Sequence, residues 1–108
     1  MKSQFIIIRT TFSKKLKARK LAKILIEKKL AACVQISKIE SFYFWNKKIS
    51  NSDEILVEIK TKANLYKKIE KEILINHEYE IPQILTININ EAFSGYEKWL
   101  DGSLSQKN

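Results

Sequence analysis

Two residues of this chain could ligate a transition metal or take part in nucleophilic catalysis, and both are solitary. Cys33 is the only cysteine and His77 the only histidine. A transition-metal site needs three or four donors, so His77 would have to draw on the neighbouring carboxylates of Glu78 and Glu80, with Cys33 as a weaker donor. Spacings such as CxxC or HxxxH are absent from the sequence. The residues therefore predict only a weak metal site, built around His77 or completed by donors from several subunits.

Catalysis is not predicted. A nucleophile and its base would require Cys33 or a hydroxyl beside His77, and nothing local brings them together. The only glycines, Gly95 and Gly102, form neither an oxyanion hole nor a nucleotide-binding motif. We expect a binding protein that requires no cofactor, rather than an enzyme.

The charge of +8 is unevenly distributed along the chain. Residues 1–39 carry eleven basic residues against Glu27, and the remainder carries nine against eleven acids, so the two parts hold +10 and −2. All but two of the basic residues are lysine, whereas base and bidentate phosphate recognition favour arginine, so nucleic-acid binding is not expected. Lys14, Lys15 and Lys17 fall where the first helix should begin; they mark either an anion site or a solvated helix end.

Compartment and domain count follow from length and hydropathy. No apolar stretch approaches the roughly 18 to 20 residues that span a bilayer, and a lone cysteine fits a reducing compartment. We therefore expect a cytoplasmic protein without membrane contact. The 108 residues allow one domain, with an ordered core over about 4–101 and a frayed tail over 102–108.

Hydrophobic periodicity predicts the order strand, helix, strand, strand, helix, strand and a short final helix. The predicted ranges are 5–11, 14–29, a long hairpin over 32–61, a helix ending at 76–77, a strand over 84–89 and a helix over 92–100. Ser13 is expected to cap the first helix, and Thr61 or Asn64 the second. The alternation changes phase near Ser37-Lys38, which predicts a bulge or a bend there. This order is that of an α+β, ferredoxin-like (βαββαβ) antiparallel sheet.

Two further clusters suggest contacts. The hairpin carries Phe42, Tyr43, Phe44 and Trp45 on both faces, and the final helix pairs Tyr96 with Trp99. Self-association is the simplest cover for the hairpin rings, which predicts Phe42 and Phe44 at an interface. The segment 77–83 is either a rigid turn fixed by Pro82 or a binding loop.

Several short motifs together resemble one family. They are Leu30-Ala31-Ala32-Cys33-Val34, Ser41-x-Tyr43-x-Trp45, Glu54, Lys60-Thr61, His77-x-Tyr79-Glu80-x-Pro82 and Tyr96-x-x-Trp99. Their order and spacing resemble the CutA divalent-cation tolerance family. The resemblance implies a tight homotrimer similar to PII signalling proteins, with copper as the metal usually bound. It places the final helix at subunit contacts, which adds Tyr96 and Trp99 to the predicted interface. It also makes the run around Cys33 a fold signature and Cys33 a core residue.

This chain departs from the family pattern at several positions that concern the metal. Thr10 stands where some members have a ligand cysteine, and Asn76 where some have a second histidine. Glu78 replaces a usual proline, Gln83 a usual glutamate and Lys47 a usual glycine. The framework motifs are kept while metal donors are lost.

Two hypotheses follow. The first is a trimer that responds to divalent metal, with weak copper binding near His77 at subunit junctions. The second is a PII-like sensor or scaffold that binds a small anionic effector or a partner protein in a cleft between subunits. The residues expected to line that cleft are Tyr43, Trp45, Lys60, His77, Tyr79, Glu80 and Gln83.

Overall fold

Four strands and three α-helices make up the part of the chain that the computed structural model describes, residues 4–104. In chain order they are β1 (Phe5–Phe12), α1 (Lys15–Glu27), β2 (Cys33–Trp45), β3 (Lys48–Lys62), α2 (Tyr66–Asn76), β4 (Ile84–Asn88) and α3 (Ser94–Ser103). A 3-10 turn, Ala63–Leu65, leads into α2. The strands form one antiparallel sheet in the order β2-β3-β1-β4. The predicted element order is confirmed.

The hydrophobic core lies between the sheet and the first two helices. Alternate residues of β1 and β3, such as Ile8 and Val57, point toward the helices and are fully buried. The buried side of α1 supplies Leu21 and Leu25 to the same cluster, and α2 supplies Ile69. Strand and helix periodicity therefore converge on one apolar layer.

The predicted helix caps are wrong. The residue before α1 is Lys14, and neither α1 nor α2 begins with a side-chain cap. Ser13 donates instead to Glu78, and Thr61 is buried and donates its hydroxyl to the carbonyl oxygen of Leu30 at 2.6 Å. These hydroxyls bond residues that are distant in sequence and therefore do not cap the helices.

The predicted hairpin is confirmed, but the predicted bulge is wrong. β2 and β3 keep one register from the pair Cys33–Lys60 to the pair Trp45–Lys48. β1 pairs with β3 only as far as Ile55, so residues 39–54 extend past the sheet as a two-stranded hairpin arm. Neither face of this arm is packed on the core, which explains why the apolar alternation changes phase without any break in pairing.

The sheet face opposite α1 and α2 is covered only in part. There α3 packs against one end through a small cluster of Phe5, Leu100 and Leu104. α3 continues to Ser103 and Leu104 is buried, so the predicted fraying from residue 102 is wrong as far as 104, and 105–108 lie outside the described residues. Cys33 pairs with Lys60 on this open face and is partly exposed, which corrects its prediction as a core residue.

Candidate functional site

An open groove lies between the hairpin arm and the loop of residues 77–83. Its volume is about 860 Å³. The lining residues are Thr11, Ser41, Phe42, Tyr43, Trp45, Ser52, Glu54, Tyr79, Ile81 and Gln83. The alternation of the arm explains the arm residues of this set other than Phe42, since odd residues of β2 and even residues of β3 share the face of the sheet that points away from α1 and α2.

His77 fixes the loop to the end of β1. It follows α2 directly, with an extended backbone. Its Nε2 lies 2.7 Å from the carbonyl oxygen of Thr11, and its Nδ1 accepts the backbone N–H of Tyr79 at 3.1 Å. A carbonyl only accepts, so the proton of the neutral imidazole is on Nε2. Both ring nitrogens are therefore engaged within the chain.

The environment of His77 favours the neutral ring. The imidazole is stacked on Phe12, and burial lowers the pKa of His77 below 6.5 more strongly than the Thr11 carbonyl and the nearby carboxylates of Glu78 and Glu54 raise it. A neutral imidazole is the form that ligates metal, but its free lone pair already accepts the Tyr79 N–H.

Glu78 neutralises the start of α1. One of its oxygens, Oε1, accepts both the backbone N–H and the hydroxyl of Ser13, each at 2.7 Å. These bonds and the positive charge of Lys17 lower the pKa of Glu78. The anion anticipated at this lysine-rich helix end is therefore supplied by the chain itself.

Tyr79 and Glu54 form the polar floor of the groove. The Tyr79 hydroxyl donates to Glu54 Oε2 at 3.2 Å. Burial, followed by the charge of Glu54, raises the pKa of Tyr79 to about 12, so the phenol stays a neutral donor. Beside them, the Tyr43 hydroxyl lies 3.4 Å from Ser52 Oγ.

The predicted site residues separate into two regions. Tyr43, Trp45, Tyr79 and Gln83 line the groove, with His77 directly behind Tyr79. Lys60 does not line it; its ammonium lies over the Tyr96 ring, 5.5 Å from the ring centroid. Cys33 pairs with Lys60 at that distant end. Glu80 is exposed and outside the lining set.

Glu54 was missing from the predicted cleft. Strand parity, set by the two-residue turn at Asn46-Lys47, places Glu54 on the same face as Tyr43 and Trp45, but it places Lys60 on that face as well. Among residues 4–104, no group of three or more histidine, cysteine, aspartate or glutamate side chains could hold a metal ion. Over the same residues, no helix is long and apolar enough to cross a membrane.

Comparison with known proteins extends this description. The family described as CutA1 divalent ion tolerance protein matches residues 6–103. The chain is 33% identical over 95 residues to the divalent-cation tolerance protein CutA of Pyrococcus horikoshii, which covers 88% of this chain and 93% of the relative. It is 38% identical over 84 residues to the protein CutA homolog of Danio rerio. The aligned region covers 77% of this chain but 56% of that relative.

A solved structure agrees with the fold. The structure of the periplasmic divalent cation tolerance protein CutA from Archaeoglobus fulgidus superposes with a TM-score of 0.88 at 33% identity, covering 94% of this chain and 99% of that one. The chain therefore spans the whole of some relatives and about half of others, including 54% of the chloroplastic CutA of Arabidopsis thaliana.

Proposed function

This chain belongs to the CutA1 divalent ion tolerance protein family, and on that premise we propose that it takes part in divalent-cation tolerance as a cytoplasmic homotrimer. Its role is that of a binding protein rather than an enzyme. The strand order β2-β3-β1-β4 supports a ferredoxin-like subunit of the kind found in PII-like trimers. The observation that carries the proposal is the match of residues 6–103 to this family.

The donors of a single described chain do not fit a closed copper site. Both nitrogens of His77 are hydrogen-bonded, Glu78 is held by Ser13, and Cys33 lies at the far end of the sheet. Thr10, which stands at the position of a family cysteine, is buried in the core. We therefore place weak copper binding at a subunit junction, where a second chain adds donors to those beside His77.

The hairpin arm supports self-association. Its tip exposes large apolar rings on both faces, with Phe44 71% and Trp45 63% exposed. An isolated two-stranded ribbon is at best marginally stable in water, so rings of this size favour burial against another copy. The predicted interface adds Phe42 from the arm and the stacked pair Tyr96 and Trp99 from α3.

Calorimetry of metal-free protein with Cu²⁺ tests the metal proposal. We expect saturable binding tighter than about 1 mM. His77→Ala should abolish it, while Cys33→Ser, which removes a donor outside the site, should leave it unchanged. Binding no tighter than millimolar, or an unaffected His77→Ala protein, would show that copper is not bound here.

Sedimentation equilibrium tests the assembly separately. We expect three subunits for the wild type. Phe44→Glu should dissociate them, because a buried unpaired carboxylate is costly, whereas Lys47→Glu at the exposed turn should not. A wild-type protein that sediments as a monomer at all concentrations would contradict the assembly.

Effector binding in the groove is the second candidate function. Its support is the 860 Å³ groove itself, which has the size of a small-molecule site and four of the predicted cleft residues in its walls. Titration of nucleotides and organic anions, followed by tryptophan fluorescence, tests this candidate. Trp45 lines the groove and should report occupancy; an unchanged signal across the panel would count against it.

A further inference from the structure

The groove carries one charged group, and that group is negative. Among the lining residues, Glu54 is the only aspartate, glutamate, lysine, arginine or histidine, and it is partly buried. The ion pairs among residues 4–104 join Arg9 to Glu58, Lys28 to Glu72, Lys62 to Asp101 and Lys67 to Glu70. None includes Glu54. Its hydrogen-bond donor among the described residues is the Tyr79 phenol, so no cationic side chain is paired with it there.

The expectation of an anionic effector depended on Lys60. The structure places Lys60 six residues along β3 from Glu54, roughly 20 Å away at the rise of an extended strand. There it lies over Tyr96. An anion in the groove would face Glu54 with no lining lysine or arginine to compensate.

Two tyrosines lie near the carboxylate: Tyr79 bonds it, and the Tyr43 hydroxyl lies by Ser52, two residues before it, whereas Trp45 pairs with Lys48, six residues away. Tyr43 and Trp45 share its face of the arm and are 46% and 63% exposed in the single chain. Tyr79 approaches from the loop and is held there by its bond to Glu54 and by its contact with His77, whose ring centroid lies 4.9 Å from its own. A single carboxylate in a groove lined with aromatic side chains is the chemistry that recognises an organic ammonium ion.

The same residues do not suit an inorganic cation. Such an ion needs several oxygen or nitrogen donors at short distances, and the lining offers one carboxylate, hydroxyls and one amide spread over about 860 Å³. Much of the groove lining is apolar, and a hydrated metal ion gains little from contact with apolar surface. An alkylated ammonium can instead contact the rings and the carboxylate together.

We infer that the groove between the hairpin arm and the 77–83 loop binds a small organic ammonium ion, with Glu54 neutralising its charge and Tyr43 and Tyr79 contacting its alkyl groups. This inference rests on the second candidate function, effector binding in the groove, and replaces the anion by a cation. It does not depend on copper binding.

Choline is a suitable probe. In Trp99→Phe protein, where Trp45 is the only tryptophan, choline should change the fluorescence saturably, and calorimetry on the wild type should give the same affinity. Its neutral isostere 3,3-dimethylbutan-1-ol should bind at least about tenfold more weakly, because it lacks the charge that Glu54 and the rings recognise.

Two variants separate the role of Glu54 from a general effect on the sheet. Glu54→Gln keeps an oxygen that can accept the Tyr79 hydroxyl but removes the charge, and it should weaken choline binding by at least about tenfold. Glu58→Gln is the matched control, since Glu58 lies on the same strand and face but is paired with Arg9 at 2.9 Å; it should bind choline as the wild type does.

The outcomes distinguish the inference from the function on which it rests. Binding of choline that Glu54→Gln weakens supports both. Equal binding by Glu54→Gln, or by the neutral isostere, overturns the cation assignment. If nucleotides or organic anions bind and choline does not, the groove is an effector site but this inference is wrong. If no probe binds, both are wrong.

Discussion

The imidazole of His77 is stacked on the ring of Phe12, with centroids 4.3 Å apart and an angle of 14° between the planes. Phe12 is fully buried, so this contact joins the 77–83 loop directly to the hydrophobic core. The ring also bonds Thr11 and Tyr79, so His77 fixes the start of the loop that forms one wall of the groove.

Acid should destabilise the metal-free protein through His77. Burial lowers the folded pKa below 6.5, whereas the unfolded side chain titrates near 6.5. Above pH 6.5 both states are neutral and nothing is lost; below it the unfolded state takes up the proton first, so stability falls until the lowered folded pKa is reached. His77→Gln, which can keep both hydrogen bonds, should remove this part of the slope in urea unfolding between pH 7 and pH 5. An identical slope in the variant would contradict the assignment.

Thr10 and Thr61 offer a matched test of buried hydroxyls. Both side chains are fully buried, but Thr10 Oγ1 has no hydrogen-bond partner among the described residues, whereas Thr61 donates to Leu30. Thr10→Val should therefore leave the free energy of unfolding unchanged or raise it by about 1 kcal/mol, and Thr61→Val should lower it by about 1–3 kcal/mol. Urea denaturation measures both. A loss for Thr10→Val as large as that for Thr61→Val would show that the Thr10 hydroxyl is bonded.

The hairpin turn carries a conformational cost that glycine should remove. Asn46 and Lys47 have φ values of 50° and 62°, the left-handed pair of a two-residue turn that favours Asn-Gly. Lys47→Gly should stabilise the protein by about 1 kcal/mol, since a lysine in this region is strained. Lys48→Gly, one residue further and within β3, should destabilise it instead. Thermal unfolding of the two variants gives the comparison, and equal shifts would contradict the turn geometry.

Trp99 tests the assembly through stability. Its side chain is 49% exposed in the single chain and stacks on Tyr96, so its full contribution requires burial in a subunit contact. We expect Trp99→Ala to cost about 3 kcal/mol or more at concentrations where the trimer forms, and to weaken trimerisation in sedimentation.

The control for Trp99 is its neighbour Leu100, which is buried within its own chain. Leu100→Ala should cost about 2–5 kcal/mol at every protein concentration. A Trp99→Ala effect that is equally independent of concentration would place Trp99 outside any interface.

Local periodicity was enough to predict the element order and the long hairpin. β1 was predicted to end at Thr11 and ends at Phe12, and the buried residues of α1, Ala18, Leu21 and Leu25, keep helical spacing. The errors occur where a residue distant in sequence determines the local structure. Ser13 bonds Glu78, 65 positions away, and Leu104 is held against Phe5 at the other end of the chain.

The same distinction applies to the groove. Residues of the arm and the loop were predicted to meet, because both carry rings and polar groups in connecting segments. Lys60 was included although it belongs to the opposite end of β3, and Glu54 was left out, because the two share a face of the strand and only the position of β1 shows which lies beside the 77–83 loop.

The hairpin arm has a consequence for how the protein responds to dilution. Its residues 39–54 extend beyond the last β1 pair, so the body of sheet and helices can fold without burying the rings at the tip. The free energy gained by burying those rings against other chains depends on the protein concentration, and it vanishes at infinite dilution. One wall of the groove is part of this arm. A higher protein concentration should therefore order that wall of the groove. The affinity of the groove for its ligand should rise with protein concentration as a result.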